Sequence, residues 1–211
     1  MLRAARQTGV RAPAAVFLPM PVVIHTDRLI LRKPILDDLG AFAQQFADPE
    51  VTRFLGDGSP RSPERVERGL HNGLLCWDRL GFGPFTVLSE GRVIGDCMLY
   101  PIAHSGVDAI DFDARGPEIE IGYRLARRAW GRGLATEAAR AVLEWATTDP
   151  SGPGLDNLLA VTHPDNIASQ RVLEKIGMVS VGSTEAFYGT PTQLFAQRRA
   201  DGSLSVTPPE S

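Results

Sequence analysis

One stretch, Glu118 to Ala139 (EIEIGYRLARRAWGRGLATEAA), constrains the chain more than any other. Glu118 to Leu125 alternates with the period of a strand. Ile119, Ile121, Tyr123 and Leu125 point to one face, and Glu118, Glu120, Gly122 and Arg124 to the other. Trp130-Gly131-Arg132-Gly133-Leu134-Ala135 then forms a tight, basic, glycine-rich turn. From Thr136 onward the residues are helix formers, with Ala138, Val142 and Trp145 on one stripe. Such a turn between strand and helix can hold an anion. Gly131 and Gly133 let a ligand approach the backbone where a Cβ would block it. The first helical turn has N–H groups with no intrahelical acceptor, at the positive end of the helix dipole. Arg127, Arg128 and Arg132 add mobile positive charge. An ordinary turn with its arginines in water would look the same locally.

Two phosphate-binding loops are excluded by spacing. No lysine follows the glycines as G-x-x-x-x-G-K-[ST] requires, and Thr136 stands where G-x-G-x-x-G needs its last glycine. The first strand of a dinucleotide fold is also apolar on both faces, whereas this one carries two glutamates.

The 211 residues suffice for one sizeable domain. No apolar run approaches the roughly 20 residues of a membrane span. Cys76 and Cys97 stand alone, without C-x-x-C or histidines at ligand spacing, which argues against a structural metal and fits a reducing, cytoplasmic setting. The four histidines are scattered. Residues 1 to 20 hold Arg3, Arg6 and Arg11 and no acid, so the remainder is more acidic than the whole-chain net charge of −3. A nucleic-acid binder shows the reverse balance, and neither nucleic acid nor membrane is expected as a partner.

Residues 1–21 are Ala-, Arg- and Pro-rich without a clear period and read as a disordered extension, or as a start upstream of Met20. Asp27 to Arg32 (DRLILR) predicts a strand ended by Pro34. Asp37 or Asp38 is expected to cap a helix through Phe46, with Leu39, Phe42, Ala43 and Phe46 on its apolar stripe. Asp48-Pro49 breaks that helix. Ser62-Pro63 starts a second, carrying Val66, Leu70, Leu74 and Trp77 and fading near Gly81. Pro84–Ser89 and Arg92–Tyr100 read as a hairpin around Glu90-Gly91. Ile102 to Gly116 is a loop bearing Asp108, Asp111 and Asp113. After the central unit, residues 149–154 form a hard break and Asn157–Thr162 a short buried strand. Asp165-Asn166 opens a helix, Ile167–Ile176, closed by Gly177. Met178–Thr184 and Thr192–Gln197 read as a closing pair of strands. The domain expected is a single mixed α/β unit over 22–200, followed by a polar, flexible tail over 201–211.

In this order, DRLILR, EIGY, WGRGLATEA and NIASQRVLEKIGM resemble the GNAT superfamily of N-acetyltransferases, over roughly Thr26 to Arg198. The likeness is closest to the branch that acetylates ribosomal-protein N-termini. It implies a mostly antiparallel mixed sheet flanked by helices, whose two central strands splay apart to admit acetyl-CoA. It places the family's R/Q-x-x-G-x-G/A pyrophosphate loop on Trp130, Gly131, Arg132, Gly133, Leu134 and Ala135, with Trp130 where many members carry Gln or Arg. Leu125 would line the pantetheine arm through its backbone, and Asn166 would meet it near a helix start. No metal is implied.

Acetyl transfer to an amine requires a group to take the amine's proton, a donor for the oxyanion and a proton for the departing thiolate. The resemblance points to Glu120 as the base, in place of a merely solvated strand face. The tyrosine that many members use as the acid, seven residues after the asparagine, is Leu173 here. Ser169 is the branch's substitute, a poor acid that would hydrogen-bond the sulfur or relay through water, and Tyr123 and Tyr188 are fallback donors. Cys97 as a nucleophile is disfavoured, since direct attack needs none and no base is adjacent. The acceptor stays open between a small-molecule amine and a protein N-terminus. Asp108, Asp111, Asp113 and Glu118 could attract a cation. The expected enzyme is a monomer or homodimer; a non-catalytic acyl-CoA sensor is the alternative.

Overall fold

The computed structural model of the chain describes residues 21–104, 118–199 and 201–206. In chain order the elements are β1 (Val23–His25), β2 (Ile30–Arg32), α1 (Leu39–Phe46), α2 (Pro49–Thr52), α3 (Pro63–Leu80), β3 (Phe85–Ser89) and β4 (Arg92–Pro101). Then come β5 (Ile119–Leu125), α4 (Leu134–Thr147), β6 (Leu158–Thr162), α5 (Ile167–Lys175), β7 (Val179–Thr184) and β8 (Thr192–Ala196). One mixed sheet runs β1-β2-β3-β4-β5-β6-β8-β7. Neighbours are antiparallel except β5 and β6, which are parallel and joined by the α4 crossover that such a pair requires. The expectation of a mostly antiparallel mixed sheet flanked by helices is met.

The decisive feature lies in the middle of the sheet. β5 pairs with β4 along its whole length, Ile119–Leu125 against Gly95–Pro101. With β6 it pairs only at Ile119–Leu158 and Glu120–Leu159. The two strands part after Glu120, and Ile121–Leu125 face a gap.

Period-2 patterning sets the two faces of β5. Ile119 and Ile121 join Leu31, Val87, Leu99, Ala138, Val142 and Trp145 in the main core, against α4. Its aromatic centre packs the Phe85 ring edge-on to both Trp77 and Trp145, with centroids 5.0 and 5.2 Å away. A second cluster, Phe42, Phe46, Val66 and Leu70, joins α1 to α3. No helix among the described residues is long and apolar enough to cross a membrane.

Several local expectations are corrected. Residues 26–29 form a turn instead of extending the strand, because Thr26 and Leu29 bond each other's backbone. The arm before it, β1, pairs with β2. Asp38 precedes α1 but its side chain does not cap it. Its buried carboxylate accepts from Arg32, the Ile35 N–H and the Thr86 hydroxyl. Burial alone would raise its pKa; those donors hold it below the ordinary value. Asp48 does not simply end a helix but caps α2, accepting from Glu50 N–H. Leu74 is only half-buried, since the inward positions of α3 go to Gly73 and Cys76. α4 starts at Leu134, two residues early. In the segment read as tail, Ser205 N–H bonds the Gln197 carbonyl and Val206 packs against the Leu159–Leu194 cluster. The expected extension over residues 1–20 and the loop carrying Asp108, Asp111 and Asp113 lie outside the described residues.

Candidate active site

The glycine turn is built as an open backbone cradle. Gly131 and Gly133 sit at φ 72° and 75°, a left-handed conformation that glycine adopts without steric cost. Nothing lies within 4 Å of a Cβ placed on Gly131, and on Gly133 the nearest atom is 3.7 Å away. The α4 ladder opens with Glu137 N–H to the Gly133 carbonyl, which leaves the N–H groups of Leu134, Ala135 and Thr136 without intrahelical acceptors. Glu137 fixes this end of the helix, accepting from the Thr26 hydroxyl and from the Arg28 backbone and guanidinium. That clamp has no local signature in the sequence.

The three arginines are not equivalent, which corrects the reading of all three as mobile charge. Arg127 pairs with Asp48 at 3.2 Å, and Arg128 donates to the Val93 carbonyl at 2.7 Å. Arg132 is exposed and its carbonyl accepts from Arg28. Trp130 is also exposed, its indole N–H donating to the Leu125 carbonyl at 2.7 Å. Leu125 therefore meets the turn through its backbone, with one carbonyl lone pair already engaged.

Glu120 occupies the last rung before β5 and β6 part, opposite Tyr100 on β4. Its face of the strand is not solvated: the residue is 6% exposed. The Tyr188 hydroxyl, from the β7–β8 turn, donates to its carboxylate. Burial pushes the carboxyl up to about 7, against the opposing pull of the Tyr188 hydroxyl and the Arg124 guanidinium. Tyr188 is held at φ 59°, a position disfavoured for a bulky residue. The Tyr188-Gly189-Thr190-Pro191 turn signals a tight bend, but not that its phenol reaches a carboxylate 68 residues away.

Above this face lies a cavity of about 260 Å³ between α1, α3 and the sheet, lined by Phe42, Phe46, Arg61, Met98, Tyr100 and Tyr188 among others. Arg124 and Asp96 face it as a bonded pair. Gln45, which sequence reasoning passed over, is buried and donates to the Arg124 carbonyl at 2.9 Å. Arg61, also passed over, has no neighbour in sequence that marks it.

Ser169 and Tyr123 meet across the gap. The Tyr123 hydroxyl donates to the Ser169 carbonyl at 2.8 Å and lies 3.0 Å from the Ser169 hydroxyl. Burial raises the phenol's pKa. With the tyrosine proton on that carbonyl, the serine proton points to the tyrosine oxygen. Asn166 caps α5 through Oδ1, accepting from Ser169 N–H; this is a structural role beside the one inferred from the resemblance. Leu173 is core. Cys97 is fully buried and its thiol is pushed far up by desolvation, which makes it inert. Glu118 pairs with His104 at 3.1 Å. No group of His, Cys, Asp and Glu that could hold a metal occurs among the described residues.

Comparison with known proteins gives a consistent family. The model of the acetyltransferase (GNAT) domain matches residues 28–179. The uncharacterized N-acetyltransferase YnaD of Bacillus subtilis (strain 168) is 39% identical over 74% of this chain and 81% of its own length. Among solved structures, the ribosomal L7/L12 alpha-N-protein acetyltransferase RimL in complex with coenzyme A superposes with a TM-score of 0.63. Its identity is 16%, over 82% of this chain and 96% of its own. AAC(6')-Ib in complex with ribostamycin and coenzyme A gives a TM-score of 0.64 at 21% identity, over 80% and 92%. At such identities the structures testify to the fold.

Proposed function

The chain belongs to the acetyltransferase (GNAT) domain family, and on that premise we propose that it transfers an acetyl group from acetyl-CoA to a primary amine by direct attack in a ternary complex. The observation that carries the reading is the parting of β5 from β6 at Glu120, with that carboxyl buried at the point of divergence. Bound acetyl-CoA supplies the acyl group as an activated thioester.

The residues fit that co-substrate. The open N–H groups from Gly131 to Ala135 and the exposed Arg132 suit a pyrophosphate. Trp130 and Leu125 border the approach. The Asn166 amide, with its oxygen used in capping, keeps N–H donors for a pantetheine carbonyl. Arg127 and Arg128 support the turn through Asp48 and Val93. Glu120, ionised above about pH 7, takes the amine's proton directly or through one water. Tyr123, on the gap strand with Ser169 as its partner, is the better donor for the leaving sulfur, its hydroxyl turning from the Ser169 carbonyl to the thiolate. Burial raises this phenol above its ordinary pKa of about 10, yet it remains a stronger acid than an aliphatic alcohol. Ser169 then orients Tyr123 and does not itself supply the proton.

The acceptor is a small-molecule amine or a protein N-terminus, the latter in keeping with the ribosomal-protein branch that the motifs resemble. Free-thiol release from acetyl-CoA, measured against a panel of amines and of peptides with varied first residues, tests the reading. Thiol release that depends on one amine class supports it. Coenzyme A binding without thiol release from any amine would leave an acyl-CoA-binding module.

A further inference from the structure

Resting on that reading, we propose that the acceptor is an amine that also carries a carboxylate, and that Arg61 is the residue that selects it.

The charges around the cavity do not balance. Arg124 is satisfied by Asp96, its Nε at 3.1 Å from both carboxylate oxygens. Arg61 is anchored by its backbone N–H to the Phe46 carbonyl at 2.9 Å, and its guanidinium lies over the Phe46 ring at 4.6 Å. Arg124 lies over the same ring at 5.1 Å. Among the described residues no carboxylate comes within ion-pairing distance of Arg61. Among the described residues the charges that act on it are Arg124 and Arg65, which repel it, and Asp96 and Asp57, which attract it more weakly. Burial and those two arginines pull its pKa down to about 10. A half-buried cation that lines a cavity and has no ion-pair partner among the described residues is costly unless something anionic enters.

The rest of the lining points the same way. Glu120 is not itself a lining residue but is bonded to Tyr188, which is, and burial pushes its carboxyl up to about 7, so it is only partly ionised near neutrality. The walls are otherwise aromatic or apolar. A polycation would meet Arg61 unpaired. A compact molecule with its amine toward Glu120 and a carboxylate toward Arg61 would complete both sites, and a planar guanidinium suits a carboxylate bidentately. At about 260 Å³ the cavity is below the roughly 300–1,000 Å³ typical of drug-sized ligands. It therefore suits an amino-acid-sized group. That group is either a free amino acid-like amine or the first residues of an acidic N-terminus.

The test uses the full chain, acetyl-CoA and matched pairs: amino acids against their amides, and peptides whose second residue is Asp against those with Asn, each rate corrected for the amine's own pKa. Wild type should prefer the carboxylate member by about 10- to 100-fold in kcat/KM, the range of a hydrogen bond to a charged group. The first pair or the second will carry the preference according to the source of the carboxylate. Arg61→Met, which keeps an unbranched side chain but removes the guanidinium, should bring the ratio toward one, and Arg61→Glu should invert it. Equal rates for both members in wild type, a preference for cationic amines, or an unchanged ratio in Arg61→Met would overturn the proposal. If no amine is acetylated, the transfer reading falls, and calorimetric titration of the same pairs into coenzyme A-loaded protein decides for Arg61. Binding of the carboxylate member that Arg61→Met abolishes sustains its role, and its absence in wild type refutes it.

Discussion

Replacing Glu120 by Gln should make the protein slower and, at alkaline pH, more stable. The carboxyl rises from an ordinary 4.5 to about 7 in the folded chain. Below pH 4.5 the folded and unfolded chains both carry the proton, and no stability is lost. Between 4.5 and 7 the unfolded chain ionises while the folded one resists, so stability falls as pH rises; above about 7 the loss is complete. From 4.5 to about 7 at 1.36 kcal/mol per pH unit, that loss is about 3 kcal/mol. The residue is only 6% exposed, so solvent screening removes little of it. Glutamine is neutral at every pH, and its carbonyl can still accept from the Tyr188 hydroxyl. Relative to wild type, Glu120→Gln should therefore gain nothing near pH 4.5 and about 3 kcal/mol at pH 8. For a domain of this size that is roughly 6–12 °C in Tm. Paired thermal melts at the two pH values measure it. In parallel, kcat/KM on one amine should fall about 10²–10⁴-fold at neutral pH, and the deficit should narrow at high pH, where free amine needs no base. A Tm difference that is the same at both pH values would refute the assignment of a raised carboxyl to Glu120. A loss under about threefold in rate would reduce Glu120 to a structural strand residue.

Tyr188→Phe removes the donor that favours the ionised Glu120, so the kinetic pKa in the kcat/KM profile should move above about 7; an unmoved profile would mean the base is elsewhere. Tyr123→Phe should lower kcat by about 10²-fold or more, and Ser169→Ala by less than tenfold; the opposite order would return the acid role to Ser169. Gly133→Val cannot hold φ 75° without a cost of about 1–2 kcal/mol, and relaxation takes the turn's N–H groups off the anion. The Kd for acetyl-CoA by calorimetry should rise about tenfold or more, and unchanged affinity in a folded variant would place the co-substrate elsewhere.

The sequence by itself determined what depends on neighbours a few residues apart. The alternation of Glu118–Leu125, the left-handed glycines after Trp130, the Glu90-Gly91 hairpin and the Asn166 cap were legible because strand period, turn chemistry and capping are local. The alternation also assigned Glu120 to a face of the sheet, but not what covers that face. Only the tertiary structure decided that it is buried, with the Tyr188 phenol brought onto it by the β7–β8 turn and the Arg124 guanidinium acting on it only as a nearby charge. The same holds for Asp38, an apparent helix cap drawn instead to Arg32 and Thr86, and for Glu137, a helix-surface glutamate that anchors Arg28 from 109 residues away. Arg61 carries no signal in its own segment, and its meaning lies in the carboxylate that Arg124 has already taken. Burial and charge compensation act through space at a few ångströms, so they are set by which distant segments the fold brings together, and the pattern along the chain does not contain them.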